Sequence, residues 1–141
     1  MLSMPMKKGF KQLVAEAEAE IATLTVEQAK ALADDPKVTL VDLRDIRELE
    51  REGIIPGAFH APRGMLEFWV DPESPYFKPI FGTGNKFVFF CAGGLRSALA
   101  TQQVQRMGLE PVAHIAGGFG AWKKAGGPVK PYEKPAKPKT S

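Results

Sequence analysis

The chain holds one cysteine, Cys91, followed by Ala92, Gly93, Gly94, Leu95, Arg96 and Ser97. The thiolate is the reactive form of a cysteine, so its surroundings decide what it can do. Phe87, Val88, Phe89 and Phe90 form a continuous apolar run immediately before it, which reads as a strand buried on both faces. Leu95, Leu99, Ala100, Val104 and Met107 then recur at helical spacing up to Gly108, a helix and its stop. Cys91 therefore stands where a strand hands over to a helix. A tight loop there turns successive backbone N–H groups inward, into a nest that favours negative charge. The two glycines permit backbone conformations that a Cβ would forbid, and Arg96 adds a full positive charge. Such settings lower a thiol pKa from ~8.5 to roughly 3.5–7.5. The competing reading is a buried, inert thiol, since free cysteine is among the most buried residue types. The glycines and Arg96 favour the reactive one.

The elements that would position this loop can be read along the chain. Phe10, Leu13, Val14, Ala17 and Ile21 fall on one face of an N-terminal helix, laid against the domain or a second subunit. Its acidic remainder (Glu16, Glu18, Glu20) argues against a membrane surface. Ile21 to Leu24 reads as a short edge strand. Thr25 and Gln28 make a capping box for a helix that ends at Asp34-Asp35-Pro36. Val38 to Val41 is a second buried strand, and Asp45 with Glu48 marks another helix start. Ile55-Pro56-Gly57-Ala58 has the residues of a type II turn. A short helix is expected over Gly64 to Val70, and Asp71 to Asn85 forms a long connection. Connections of that length are often functional, which makes Arg63, Phe68 and Trp69 candidates for a pocket rim, with ordinary core and a solvated charge as the alternative. Pro111 to Ile115 is the last strand, with His60 and His114 read as structural. Phe119 and Trp122 anchor a final helix stopped by Gly126-Gly127-Pro128. Strands alternating with helices predict an α/β domain with a parallel sheet of about five strands and an extra N-terminal helix. Ligands in such sheets sit outside the carboxyl ends of the strands, where Cys91 falls.

Three of these stretches resemble one family. Cys91-Ala92-Gly93-Gly94-Leu95-Arg96 resembles the six-residue active-site loop of single-domain rhodaneses, sulfurtransferases whose Cys-x-x-Gly-x-Arg pattern is met by Cys91, Gly94 and Arg96. Val41-Asp42-Leu43-Arg44-Asp45 with Glu48, then Gly53 to His60, is similar to the signature after the second strand. Ile54 stands where that signature usually has histidine. Gly117-Gly118-Phe119-Gly120-Ala121-Trp122 resembles the element that closes these domains. The resemblance covers about Leu24 to Pro128. It implies a rhodanese-like fold in which Arg44 and Glu48 pair beside Asp42. It also implies two-step sulfur transfer through a Cys91 persulfide. Backbone N–H groups of Ala92, Gly93, Gly94, Leu95, Arg96 and Ser97 would cradle the outer sulfur, and Arg96 would hold an anionic donor such as thiosulfate, with Ser97 oriented nearby. Arg63 could add charge if its loop folds over the site. A small thiol, a protein thiol or cyanide would accept the sulfur, and no cofactor is required. Ala92 stands where many rhodaneses carry a cation. Phosphatases and arsenate reductases of the same fold use a longer Cys-x5-Arg loop, whereas the seventh loop residue here is Ser97. The remaining alternative is a non-catalytic module that senses or carries persulfide.

Composition narrows the rest. At 141 residues the chain suits one domain, divided as an N-terminal helical extension over residues 1–20, the main domain over 21–129 and a Lys/Pro-rich tail over 130–141. That tail should be mobile. Its four lysines against Glu133 account for the whole formal charge of +3, so the folded part is neutral and nucleic-acid binding is not expected. One cysteine cannot form an internal disulfide, and with two distant histidines it offers no metal-ligand spacing. No apolar run approaches the ~20 residues that span a membrane. Lys7 and Lys8 are not followed by the apolar stretch of a secretory signal. A cytoplasmic protein is expected, with a homodimer through the N-terminal helix as one way of covering its stripe.

Overall fold

The computed structural model describes residues 5–135. Five parallel strands form one sheet: β1 (Ala22–Leu24), β2 (Val38–Asp42), β3 (Phe59–His60), β4 (Lys86–Phe90) and β5 (Val112–Ile115). They lie in the order β1-β5-β4-β2-β3, which puts β4 at the centre with β5 and β2 beside it. The apolar run of β4 needs cover on both faces, and it has it. Phe87 and Phe89 point into a cluster with Val41, Leu66, Phe81, Ala100 and Val104. Val88 and Phe90 point the other way, among Leu40, Ile55, Ile115, Phe119 and Trp122. Helices α2 (Val26–Leu32) and α6 (Gly118–Lys124) supply the second layer and α4 (Leu66–Val70) and α5 (Leu95–Arg106) the first, with α3 (Ile46–Glu52) following β2. Because every strand runs the same way, the carboxyl ends of β2, β4 and β5 open at one end of the sheet.

Local signals behave as their chemistry predicts. Thr25 with Gln28 and Asp45 with Glu48 both form complete capping boxes. Gly57 takes a positive φ of 82° in the turn closed by Ala58 N–H on Ile55 C=O. The N-terminal helix α1 (Phe10–Glu20) docks on α5, burying Val14, Ala17 and Ile21 with Ala98. Glu20 fastens its end, accepting from Gln102 and Arg106 by its carboxylate and from Gln105 by its carbonyl. The expected stripe is thus only partly used, because Phe10 and Leu13 stay exposed. At the other end, Ile54 and Lys130 exchange both backbone hydrogen bonds, at 2.8 and 2.9 Å. The segment expected to be a loose tail therefore starts inside the domain, and residues 136–141 lie outside the described ones. No helix among the described residues is long and apolar enough to cross a membrane.

Candidate active site

Three strand ends build the site around Cys91. β4 delivers Cys91 to the centre, with only 1% of its surface exposed. The chain then turns through Gly94, whose φ of 100° excludes most side chains, and enters α5 at Leu95. The Gly94 N–H donates to Sγ at 3.2 Å, and the Ser97 hydroxyl lies 3.6 Å from it. Burial pushes the Cys91 thiol pKa up. The N–H and hydroxyl of Ser97 and the N–H groups of Gly94 and Gly93 outweigh that, and the net shift is downward. Of the N–H groups expected to form a nest, that of Gly94 hydrogen-bonds Sγ, and those of Gly93 and Ser97 add to the lowering of the thiol pKa. Ala92 and Leu95 face outward, exposed.

The end of β5 clamps this loop from behind. Gly117 and Gly118 both have positive φ, 74° and 59°, and open α6 so that two of its N–H groups face the loop. Phe119 N–H donates to Cys91 C=O at 2.8 Å, and Gly120 N–H to Ala92 C=O at 3.0 Å. Gly118 packs so close that a Cβ there would stand 2.3 Å from Cys91 O. The Gly-Gly-Phe-Gly stretch is therefore the support of the cysteine loop, a role that its sequence does not announce. Trp122 anchors α6 below, fully buried, its indole N–H donating to Pro128 C=O at 2.8 Å.

The end of β2 contributes a buried ion pair. Arg44 donates to Asp42 through Nε and Nη2 at 3.0 and 2.8 Å, and Nη2 also reaches Gly53 C=O at 2.9 Å. Its guanidinium lies 4.0 Å from the centre of the Phe119 ring, a cation–π contact that ties β2 to α6. His60 Nε2 meets Arg44 C=O at 2.7 Å. Arg44 does not pair with Glu48, contrary to expectation. At the strand end its planar fork faces the carboxylate two residues back, inside the protein, while Glu48 sits on the first turn of α3 and faces α5.

There Glu48 meets Arg96 instead, accepting two hydrogen bonds at 2.7 and 3.0 Å. Arg96 is thus engaged with a carboxylate, and its charge is largely matched before any donor arrives. Arg63 is matched too, donating to Glu67 at 2.7 Å. The Arg96 hydrogen bonds hold the Glu48 carboxyl below its usual range, against the opposing effect of burial, with help from the Asp45 N–H. A depressed folded-state pKa gives stability that is present above the unfolded value, ~4.3, and lost as pH falls through the folded one. Glu48→Gln keeps a capping acceptor but removes the ion pair. It should cost about 1 kcal/mol at neutral pH, and the gap to wild type should close as the pH falls below ~4. Urea melts of both proteins across that range measure it; a gap independent of pH would contradict the assignment.

His114 on β5 is buried, with Nδ1 at 3.0 Å from Ser97 Oγ. The sequence alone does not point to this contact, which follows only once β5 and the first turn of α5 are adjacent. Among the described residues no group of three His, Cys, Asp or Glu side chains could hold a metal ion.

Comparison with known proteins agrees with this fold. The family model described as the rhodanese-like domain matches residues 25–125. A mouse thiosulfate sulfurtransferase/rhodanese-like domain-containing protein is 26% identical over 84% of this chain and 80% of its own length. The polysulfide-sulfur transferase homodimer of Wolinella succinogenes superposes with a TM-score of 0.66 at 27% identity, covering 87% of this chain and 88% of that one. A protein of unknown function from Rhodopseudomonas palustris, described as a possible tyrosine phosphatase, is 56% identical. That match covers 92% of this chain and all of the other, with a TM-score of 0.89.

Proposed function

The chain belongs to the rhodanese-like domain family, and from that premise we propose that it is a sulfurtransferase working through a Cys91 persulfide. The observation that carries this reading is the seat of Cys91: a buried thiol at the end of the central strand, its pKa lowered by the N–H groups of its own loop. The Cys91 thiolate attacks the outer sulfur of a donor such as thiosulfate. The sulfur–sulfur bond of the donor breaks, sulfite leaves with the electron pair, and a persulfide anion remains on Cys91. The same N–H donors face its negative charge, as an oxyanion hole faces oxygen. Cyanide or a thiolate then attacks the outer sulfur, and Cys91 departs as the thiolate it began as. No metal or cofactor enters either step.

The phosphatase description of the Rhodopseudomonas relative has less support in this loop. Arg96 comes one residue earlier than a Cys-x5-Arg loop requires, and its guanidinium is turned to Glu48. The test is thiocyanate formation from thiosulfate and cyanide alongside hydrolysis of p-nitrophenyl phosphate. The expected result is ping-pong sulfur transfer lost in Cys91→Ala, with no phosphate release. Phosphate release dependent on Cys91 would overturn it. A persulfide that forms but is not passed on would make the protein a carrier.

A further inference from the structure

We infer that His114 acts on Cys91 through Ser97, as a positioning residue that turns the Ser97 hydroxyl toward Sγ and conducts the thiol proton to a small pocket behind the loop. Ser97 Oγ lies between the two, 3.6 Å from Sγ and 3.0 Å from His114 Nδ1. All three residues are at least 98% buried, so bulk water does not reach the thiol along this side. The other ring nitrogen explains where the proton goes. His114 Nε2 is buried and has no hydrogen-bond partner, a costly state for a ring nitrogen. His114 lines a pocket of about 110 Å³ together with Glu18, Thr23, Gly93, Gly94 and Ala116. Such a space admits water.

The proton transfers balance with no group besides these. In the thiol state the Cys91 S–H points to Ser97 Oγ, the Ser97 O–H donates to Nδ1, and Nε2 carries the ring proton. Ionisation moves each proton one place: from Sγ to Oγ, from Oγ to Nδ1, and from Nε2, sealed in the resting structure, to pocket water once the ring swings toward the pocket it lines. The thiolate then accepts from the Ser97 O–H, which accepts from Nδ1–H, and the imidazole is neutral before and after. Burial lowers the His114 pKa, opposed by the charge of Glu18, which keeps the ring in its neutral form. The charged groups facing this chain of bonds are Glu18 from α1 on the histidine side and the Arg96–Glu48 pair from α5 and α3 on the cysteine side.

The inference rests on Cys91 as the sulfur-transfer nucleophile, but its test needs no sulfur donor. Nitrogen-15 spectra of His114 are followed while Cys91 is titrated, with iodoacetamide alkylation reporting the thiolate. The His114 ring proton is expected to move from Nε2 to Nδ1 as the thiol ionises, and to stop doing so in Ser97→Ala. His114→Leu should lower the thiolate fraction near neutral pH about tenfold, the worth of one hydrogen bond to a charged group. It should add nothing in the Ser97→Ala background. His114→Asn, whose amide can donate from the Nδ1 position, should stay close to wild type. A ring tautomer that is the same on both sides of the thiol titration overturns the proposal. So does a His114→Leu effect of equal size with and without Ser97. The spectra use the wild-type chain, so they decide even if His114→Leu does not fold, and failure of sulfur transfer itself would leave them unchanged.

Discussion

Gly118→Ala is expected to destabilise the protein by about 3 kcal/mol or more and to cost it most of its sulfur transfer. Gly118 has φ of 59°, where a Cβ costs ~1–2 kcal/mol by itself. The larger penalty is steric. The added methyl would stand 2.3 Å from Cys91 O and 2.9 Å from both the carbonyl carbon and oxygen of Ala92. Those are backbone atoms, with no rotamer by which to move aside. Either the cysteine loop or α6 must shift, and the bonds from Phe119 and Gly120 to the loop carbonyls are stretched or lost. Each is worth ~0.5–1.5 kcal/mol. For a domain of this size the total corresponds to a melting temperature lower by about 10 °C. Gly57→Ala is the control: its φ is 82°, but its Cβ would meet nothing within 4 Å, so it carries only the backbone strain. Comparable melting temperatures and activities in the two variants would mean that α6 does not hold the loop.

The second large effect concerns charge. The two arginines considered for holding a donor are both matched: Arg96 by Glu48, and Arg63 by Glu67. Ala92 adds nothing where many rhodaneses have a cation. The cysteine cradle therefore meets a dianion with backbone N–H groups and little net positive charge. A charged contact in a partly desolvated site is worth ~1.5–3 kcal/mol, and ~1.4 kcal/mol is tenfold in affinity. Ala92 is exposed, so solvent screening favours the lower end. Ala92→Arg should lower the Michaelis constant for thiosulfate about tenfold, with the gain shrinking as salt is added. Steady-state kinetics at two ionic strengths decide it. An unchanged constant would mean that the site is shaped for a less anionic donor.

How legible these features were depended on how local they are. The apolar run Phe87–Phe90, the glycines after Cys91 and the two capping boxes each announce their element within a few residues, and the sheet follows from their alternation. The position of Cys91 at a strand end was equally readable. Contacts between elements were not. The family resemblance implied a pair between Arg44 and Glu48. In the fold, Asp42 competes from inside the protein and Arg96 from 48 residues away, and both form the tighter geometry. The Ser97–His114 bond likewise requires α5 and β5 to be neighbours. The stripe on α1 is readable, but that α5 covers only Val14, Ala17 and Ile21 and leaves Phe10 and Leu13 exposed depends on how the two helices pack.

The central claim is that Cys91 takes up sulfur, and intact-mass spectrometry reads it most directly. The protein is mixed with excess thiosulfate, and in parallel with polysulfide, then desalted without reductant and weighed beside Cys91→Ser. The account predicts a gain of one sulfur atom on the wild type that cyanide removes, and no gain on the variant. An unchanged wild-type mass with every donor, or the same gain on Cys91→Ser, would contradict it.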